Sequence, residues 1–253
     1  MQSTFSGIEL GKRSLFAQNR GLQTVGHNLS NASVDGYSRQ RVEFKPTDPL
    51  YRPQLNRAET PGQIGQGVDI ARVERIKDML LEGRIVSQAG GEGYWESRDK
   101  YVRMLEQIYN EPNDVSVRNL MDRFWDSWQE LSAFPEQLAA RQNVLSRGQA
   151  LTEGIQNRYQ NLEQIRSMLE DEVKIAVAEI NQLTREIAAL NEEIVKVEAA
   201  GDSPNDWMDQ RDLRVEELSK YINITINTTD RDEFNVHSNG YQLVQGSVAK
   251  RID

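Results

Sequence analysis

The sequence predicts a mainly α protein: an N-terminal helix with an extended arm, an elongated antiparallel helical bundle with a long heptad helix, then the start of a β domain. Three observations carry that prediction. Apolar residues repeat every seven positions between Pro135 and Pro204, and their period falls to two after residue 221. Before residue 68, a single apolar stripe runs among glycines and prolines. Along the chain this places an N-terminal region at 1–64, the helical bundle at 65–221 and the first strands of an outer, apparently truncated β domain at 222–253.

The N-terminal stripe consists of Ile8, Leu15, Leu22 and Leu29, seven apart, which drift only about 20° per step around a straight helix. Gly7, Gly11, Gly21 and Gly26 lie between them, and each glycine costs about 1 kcal/mol against alanine. Such a helix is expected to order only when packed. Residues 45–67, with Pro46, Pro49, Pro53, Pro61, Gly62, Gly65 and Gly67, read as an extended connection.

Two helices are expected next. Trp95, Val102, Leu105, Ile108 and Tyr109 form an incomplete stripe over 94–109; Val117, Leu120, Phe124, Trp128 and Leu131 form a tidier one over 117–131. Both read as bundle core. The long helix follows, from about 136 to 199. Its a-type positions are Tyr159, Arg166, Val173, Ile180, Ile187 and Ile194, and its d-type positions Leu162, Leu169, Ala176, Leu183, Leu190 and Val197. The expected core of this seam is Val173, Ile180, Leu183, Ile187, Leu190 and Ile194, covered by the two shorter helices. Gly148 and Gly154 are places where it can bend. Gly201-Asp202-Ser203-Pro204 ends it.

A further helix is expected over 205–220. Ile222, Ile224 and Ile226 then alternate with polar residues, and 234–237 and 241–244 flank Ser238-Asn239-Gly240 as a hairpin. Two or three strands with unpaired edges suggest a fragment of a longer protein, or a β domain completed by something else.

Charge and composition exclude several functions. The 253 residues carry 39 acidic and 30 basic side chains, a net charge of −9, two histidines and no cysteine. Disulfides, thiolate nucleophiles and cysteine metal sites are ruled out. Residues 1–57 hold eight basic and four acidic groups, too slight an excess to argue for nucleic acid. No apolar run approaches the roughly 20 residues of a membrane span, and no secretory leader is legible at the start. His27 and His237 lack the Glu-x-x-His spacing of bundle metal sites, and no P-loop or nucleophile elbow is present. Neighbouring carboxylates such as Glu192-Glu193 diverge around a helix. No catalytic site and no cofactor are expected, although a metal-carboxylate enzyme in a helical bundle stands as the alternative of a different class.

One segment is not explained by packing: Asn28-Leu29-Ser30-Asn31, a short turn, then Gly36-Tyr37. Taken as chemistry alone it is a helix stop and a turn. As wording it resembles the N-terminal signature of bacterial flagellar axial proteins, the rod, hook and hook-associated family. The following Ser38-Arg39-Gln40 looks like the hook-associated junction members rather than hook or distal-rod proteins, which remain the nearer alternative. Gly65-Gln66-Gly67-Val68, Leu131 to Pro135 with Ala140-Arg141, and Asp209-Gln210-Arg211-Asp212-Leu213 are similar as well.

The resemblance implies a non-catalytic structural subunit, exported through the flagellar channel without a cleaved leader. Like subunits in a junction ring would be its partners, with hook protein on one side and the next hook-associated or filament protein on the other. It also implies an export chaperone for the missing C-terminal region, with no nucleic acid and no membrane insertion. Ile8, Leu15, Leu22 and Leu29 become the assembly stripe.

Overall fold

The computed structural model describes residues 5–49, 65–109, 116–228 and 233–253. Among them are five helices, α1 (Ser6–Ser30), α2 (Met79–Tyr109), α3 (Val117–Ala133), α4 (Leu138–Ala199) and α5 (Asn205–Tyr221). Six strands accompany them: β1 (Gln40–Pro46), β2 (Val68–Arg75), β3 (Thr225–Thr228), β4 (Phe234–Ser238), β5 (Tyr241–Gln245) and β6 (Val248–Ala249). The expected class, mainly α with an antiparallel β region at the C-terminal end, is the one found. Two compact units are formed, one from residues 1–90 with 180–253 and one from 91–179. They cut across the segment division expected from the sequence, because α2 and α4 contribute to both.

In the unit of residues 91–179, Ser116 caps α3 by accepting the Asn119 N–H at 3.1 Å. Leu120 of α3 packs where α4 has Gly154, and the Phe124 ring lies against Gly148. The two glycines thus serve close helix approach. Arg141 donates twice to the Pro135 carbonyl, at 2.9 and 3.1 Å, which ties the α3–α4 turn to the first turn of α4. Lys100 of α2 pairs with Glu172 of α4.

Two expectations need correction in this unit. The aromatic stripes are not bundle core: Trp95, Val102, Leu105, Tyr109 and Trp128 are exposed, while Leu120 alone of these ten positions is fully buried. The heptad seam does not continue inward here either. Val173 is 59% exposed, and Tyr159 and Arg166 are exposed too. Seven-residue spacing lags about 20° per repeat on a straight helix, so Tyr159 stands about 60° from Ile180, three repeats on. The side of α4 that meets α2 passes through Glu172, one residue from Val173.

The other unit holds the apolar core. Ile180, Leu183, Ile187 and Ala188 of α4 meet Val215 and Leu218 of α5 and Val236, Leu243 and Val244 of the sheet, with Ile187 at 0% exposure. Ile194 is buried as well and Leu190 half-buried. The seam is therefore covered by α5 and the sheet where the sequence reading had placed the two shorter helices. The sheet runs in the order β3-β4-β5-β6, all antiparallel, so the hairpin expected around Asn239-Gly240 gains a fourth strand. Both turn residues have positive φ, 48° and 83°, as a two-residue type I′ turn requires. Asn181 docks the chain end: its amide exchanges both hydrogen bonds with the Ile252 backbone, at 2.7 and 2.8 Å.

α2 begins 15 residues before the expected position. Its glycine-rich first turns are stabilised by packing, since Val86 reaches the core and Gly90 lies against the Ser219 carbonyl, 3.1 Å from where a Cβ would sit. The expected connection over 45–67 lies largely outside the described residues. Its flanks pair as an antiparallel hairpin, β1 with β2, in a register that puts Gln40 opposite Arg75 and Val42 opposite Val73.

Candidate functional site

The end of α1 is built by short polar side chains that take over orphan backbone groups. Asn31 donates to the His27 carbonyl with its backbone N–H and its side-chain amide, at 3.1 and 3.0 Å. The Ser30 hydroxyl donates to the Gly26 carbonyl at 2.9 Å. Asn28 reaches further. Its Oδ1 accepts the Gln40 N–H and its Nδ2 donates to the Gln40 carbonyl, both at 2.8 Å, so a planar amide stands in for a neighbouring strand. The Tyr37 hydroxyl donates to the same Oδ1 at 2.7 Å. Burial, with Asp206 and Asp209 nearby, raises the Tyr37 phenol above its ordinary value.

Gly36 makes the turn between them. Its φ is +77°, and a Cβ there would sit 3.2 Å from Leu213 Cβ. Leu29 and Arg39 point to solvent. Arg39 contributes its carbonyl, which accepts the Ile76 N–H at 2.8 Å.

The receiving surface is the polar face of α5. Asn205, Asp209 and Asp212 fall at i, i+4 and i+7 and so share one side. Asp209 Oδ2 accepts the Ser38 N–H at 2.8 Å, and its Oδ1 accepts from Arg75 at 2.8 Å. The same Arg75 nitrogen reaches Asp212 at 2.9 Å, where Lys77 also donates, at 2.8 Å. Burial disfavours the Arg75 guanidinium, but its two carboxylates outweigh that and raise its pKa. Asp212 is likewise opposed by burial and yet held below the usual carboxylate range by Lys77 and Arg75. Asp206 accepts from the Gln40 amide at 2.7 Å and lies 3.3 Å from His27 Nε2. Asn205 donates to the Val73 carbonyl at 2.9 Å.

The signature segment and the Asp209–Leu213 segment, about 170 residues apart, therefore form one site. Sequence reading noted both by wording and missed their meeting. It also missed Arg75, Lys77, Asn205 and Asp206; the alternation of Arg75 with Lys77 and the one-sided polar face of α5 were the available signals.

The expected stripe on α1 lies elsewhere. Ile8, Leu15, Leu22 and Leu29 are 67, 73, 72 and 79% exposed, and Phe5, Phe16 and Val25 flank them in solvent. α1 packs on β1 and β2 through the opposite, small-residue side, with Ala17 and Thr24 buried and Gly21 against the Phe44 ring. Among the described residues no group of three or more His, Asp or Glu side chains could hold a metal ion.

Residues 102–253 match the flagellar hook-associated protein FlgK helical domain. The chain belongs to this family. Flagellar hook-associated protein 1 of Bacillus subtilis is 36% identical over 89% of the chain, and that of Salmonella typhimurium 29% identical over 94%. The chain spans less than half the length of these relatives, 45% and 42%. In fold it is similar to the flagellar hook junction protein FlgK from Burkholderia pseudomallei, with a TM-score of 0.57 over 66% of this chain and 29% of that one, at 24% identity. The FlgK helical-domain match begins after the Asn28–Gln40 segment, which the full-length relatives reach.

Proposed function

We propose that the protein is a structural subunit of the bacterial flagellum, a junction subunit that connects hook to filament by subunit packing and performs no catalysis. The outward stripe of α1 carries this reading. The helix is already packed through its small side, and its large apolar side chains Ile8, Leu15, Leu22 and Leu29 face water. Burying each against a neighbour favours association by about 1.5–3 kcal/mol. The seven-residue spacing suits a neighbouring helix that wraps around α1.

Its partners are like subunits in a ring, hook protein on one side and the next hook-associated or filament protein on the other. A chaperone for the C-terminal region of the full-length protein would accompany its secretion to the flagellum, whether external or periplasmic. Residues 1–64 form the axial part of the subunit, 65–221 its helical part and 222–253 the first strands of an outer β domain. The name shared by the curated relatives, flagellar hook-associated protein 1, supports the flagellar structural role.

Leu22→Asp tests it in the full-length protein. The purified variant is expected to melt within about a degree of the parent, as is usual for exposed sites. Cells making it are expected to export the subunit, fail to join filament to hook, and release filament subunits into the medium. A variant that melts much earlier, or that assembles normally, overturns the stripe as an assembly surface.

A further inference from the structure

The apolar core is drawn from α4, α5 and the sheet, with Val86 of α2; the described residues of 5–49 and 65–75 contribute nothing to it. α1 and the β1–β2 hairpin pack on one another, and α5 holds them through polar groups. Leu213 beside Gly36 is an apolar contact in that interface. The charged and titratable groups facing it are Asp206, Asp209 and Asp212 with Arg211 on α5, Arg75 at the end of β2 and Lys77 just after it, His27 and Tyr37 from the signature segment, and Glu82 of α2, which pairs with Lys77 at 3.0 Å.

We infer that α1 and the β1–β2 hairpin form an arm that α5 holds by an ionic latch centred on Arg75 and Asp209, and that the arm opens without unfolding the α4–α5–sheet core. Two features give the latch this character. Its contacts are few, directional and charge-assisted, so displacing one ion removes several at once: Asp209 alone joins the Ser38 backbone to Arg75. The core, in contrast, is apolar and takes none of its side chains from the described part of the arm; Arg211, 3.6 Å from Asp212 and stacked on the Phe234 ring, belongs to α5 and stays with the core when the arm opens. The latch sets where α1 points and lets that direction change. This inference goes beyond the assembly role and stands whether or not the outward stripe of α1 binds other subunits.

Hydrogen exchange on the whole chain tests it, comparing the parent with Asp209→Asn, which keeps the shape, and Arg75→Met, which keeps the bulk. In both variants, amides of 38–46 and 68–75 are expected to exchange about tenfold faster or more, while those of 215–219 and 236–244 keep the parent rate, as local opening requires. Two results overturn the latch. If arm and core amides accelerate together, or Arg75→Met fails to fold, arm and core are one cooperative unit. If neither variant changes the arm amides, these ions do not hold it.

Discussion

Asn28 and Asn181 do the same work at two ends of the fold. Each uses both ends of its amide on one backbone unit, Gln40 or Ile252, and so fixes a strand-like segment against a helix. The planar amide supplies one donor and one acceptor at the spacing of a peptide group. Asp212 works differently, as a carboxylate shared by Arg75 and Lys77. Its pKa is lowered on folding, so the contribution is present at pH above the ordinary carboxylate range and lost as pH falls through the folded value. Asp212→Asn is therefore expected to reduce the protection of the 68–75 amides at pH 7 by about 1.5–3 kcal/mol, the range for a charged hydrogen bond. The gap between variant and parent should begin to narrow near the ordinary carboxylate value, about pH 4, and close only as pH falls through the lower folded value. A gap that persists in acid would assign the effect to shape instead of charge.

At the scale of the element, periodicity was a good guide to which helices exist and a poor guide to which faces are covered. α3, α4 and α5 fall within a few residues of their expected bounds, because 3–4 spacing and the stops at Pro135 and Pro204 are local signals. α2 and the β1–β2 hairpin were less legible: Gly83, Gly90 and Gly91 weaken the first turns of α2, and β2 pairs with a strand more than 20 residues earlier. Gly148 and Gly154 separate propensity from packing. Gly148→Ala places a methyl at ordinary contact with Phe124 and is expected to stabilise by up to about 1 kcal/mol through helix propensity. At Gly154 the same methyl overlaps Leu120, a buried side chain that must leave its rotamer. Forced repacking costs about 1–3 kcal/mol, so Gly154→Ala is expected to destabilise. Chemical denaturation of the two variants decides this; equal effects would mean that Leu120 moves freely.

Across the whole molecule, one heptad line serves two units with different surroundings. Ile187 and Val173 are both a-type positions, yet one is fully buried and the other 59% exposed. Ile187→Asp is expected to unfold the α4–α5–sheet core, since an unpaired carboxylate there exceeds the 4–5 kcal/mol mark of exceptional substitutions. Val173→Asp is expected to change stability by less than about 0.5 kcal/mol. Thermal melts of both variants check this, and similar losses would restore a seam buried along its full length.

From the amino acids alone came the helical class, the switch to strands after residue 221, the turn at Asn239-Gly240, and the resemblance in Asn28–Gln40 that pointed to the family. All rest on spacing or short-range chemistry, which a chain carries with it before folding. The unit boundaries, the exposure of the aromatic stripes, the pairing of β1 with β2 and the meeting of Ser38 with Asp209 came from the folded chain. Each depends on residues far apart in sequence. Periodicity states that a helix has an apolar side; which part of that side is covered depends on what the rest of the chain places against it.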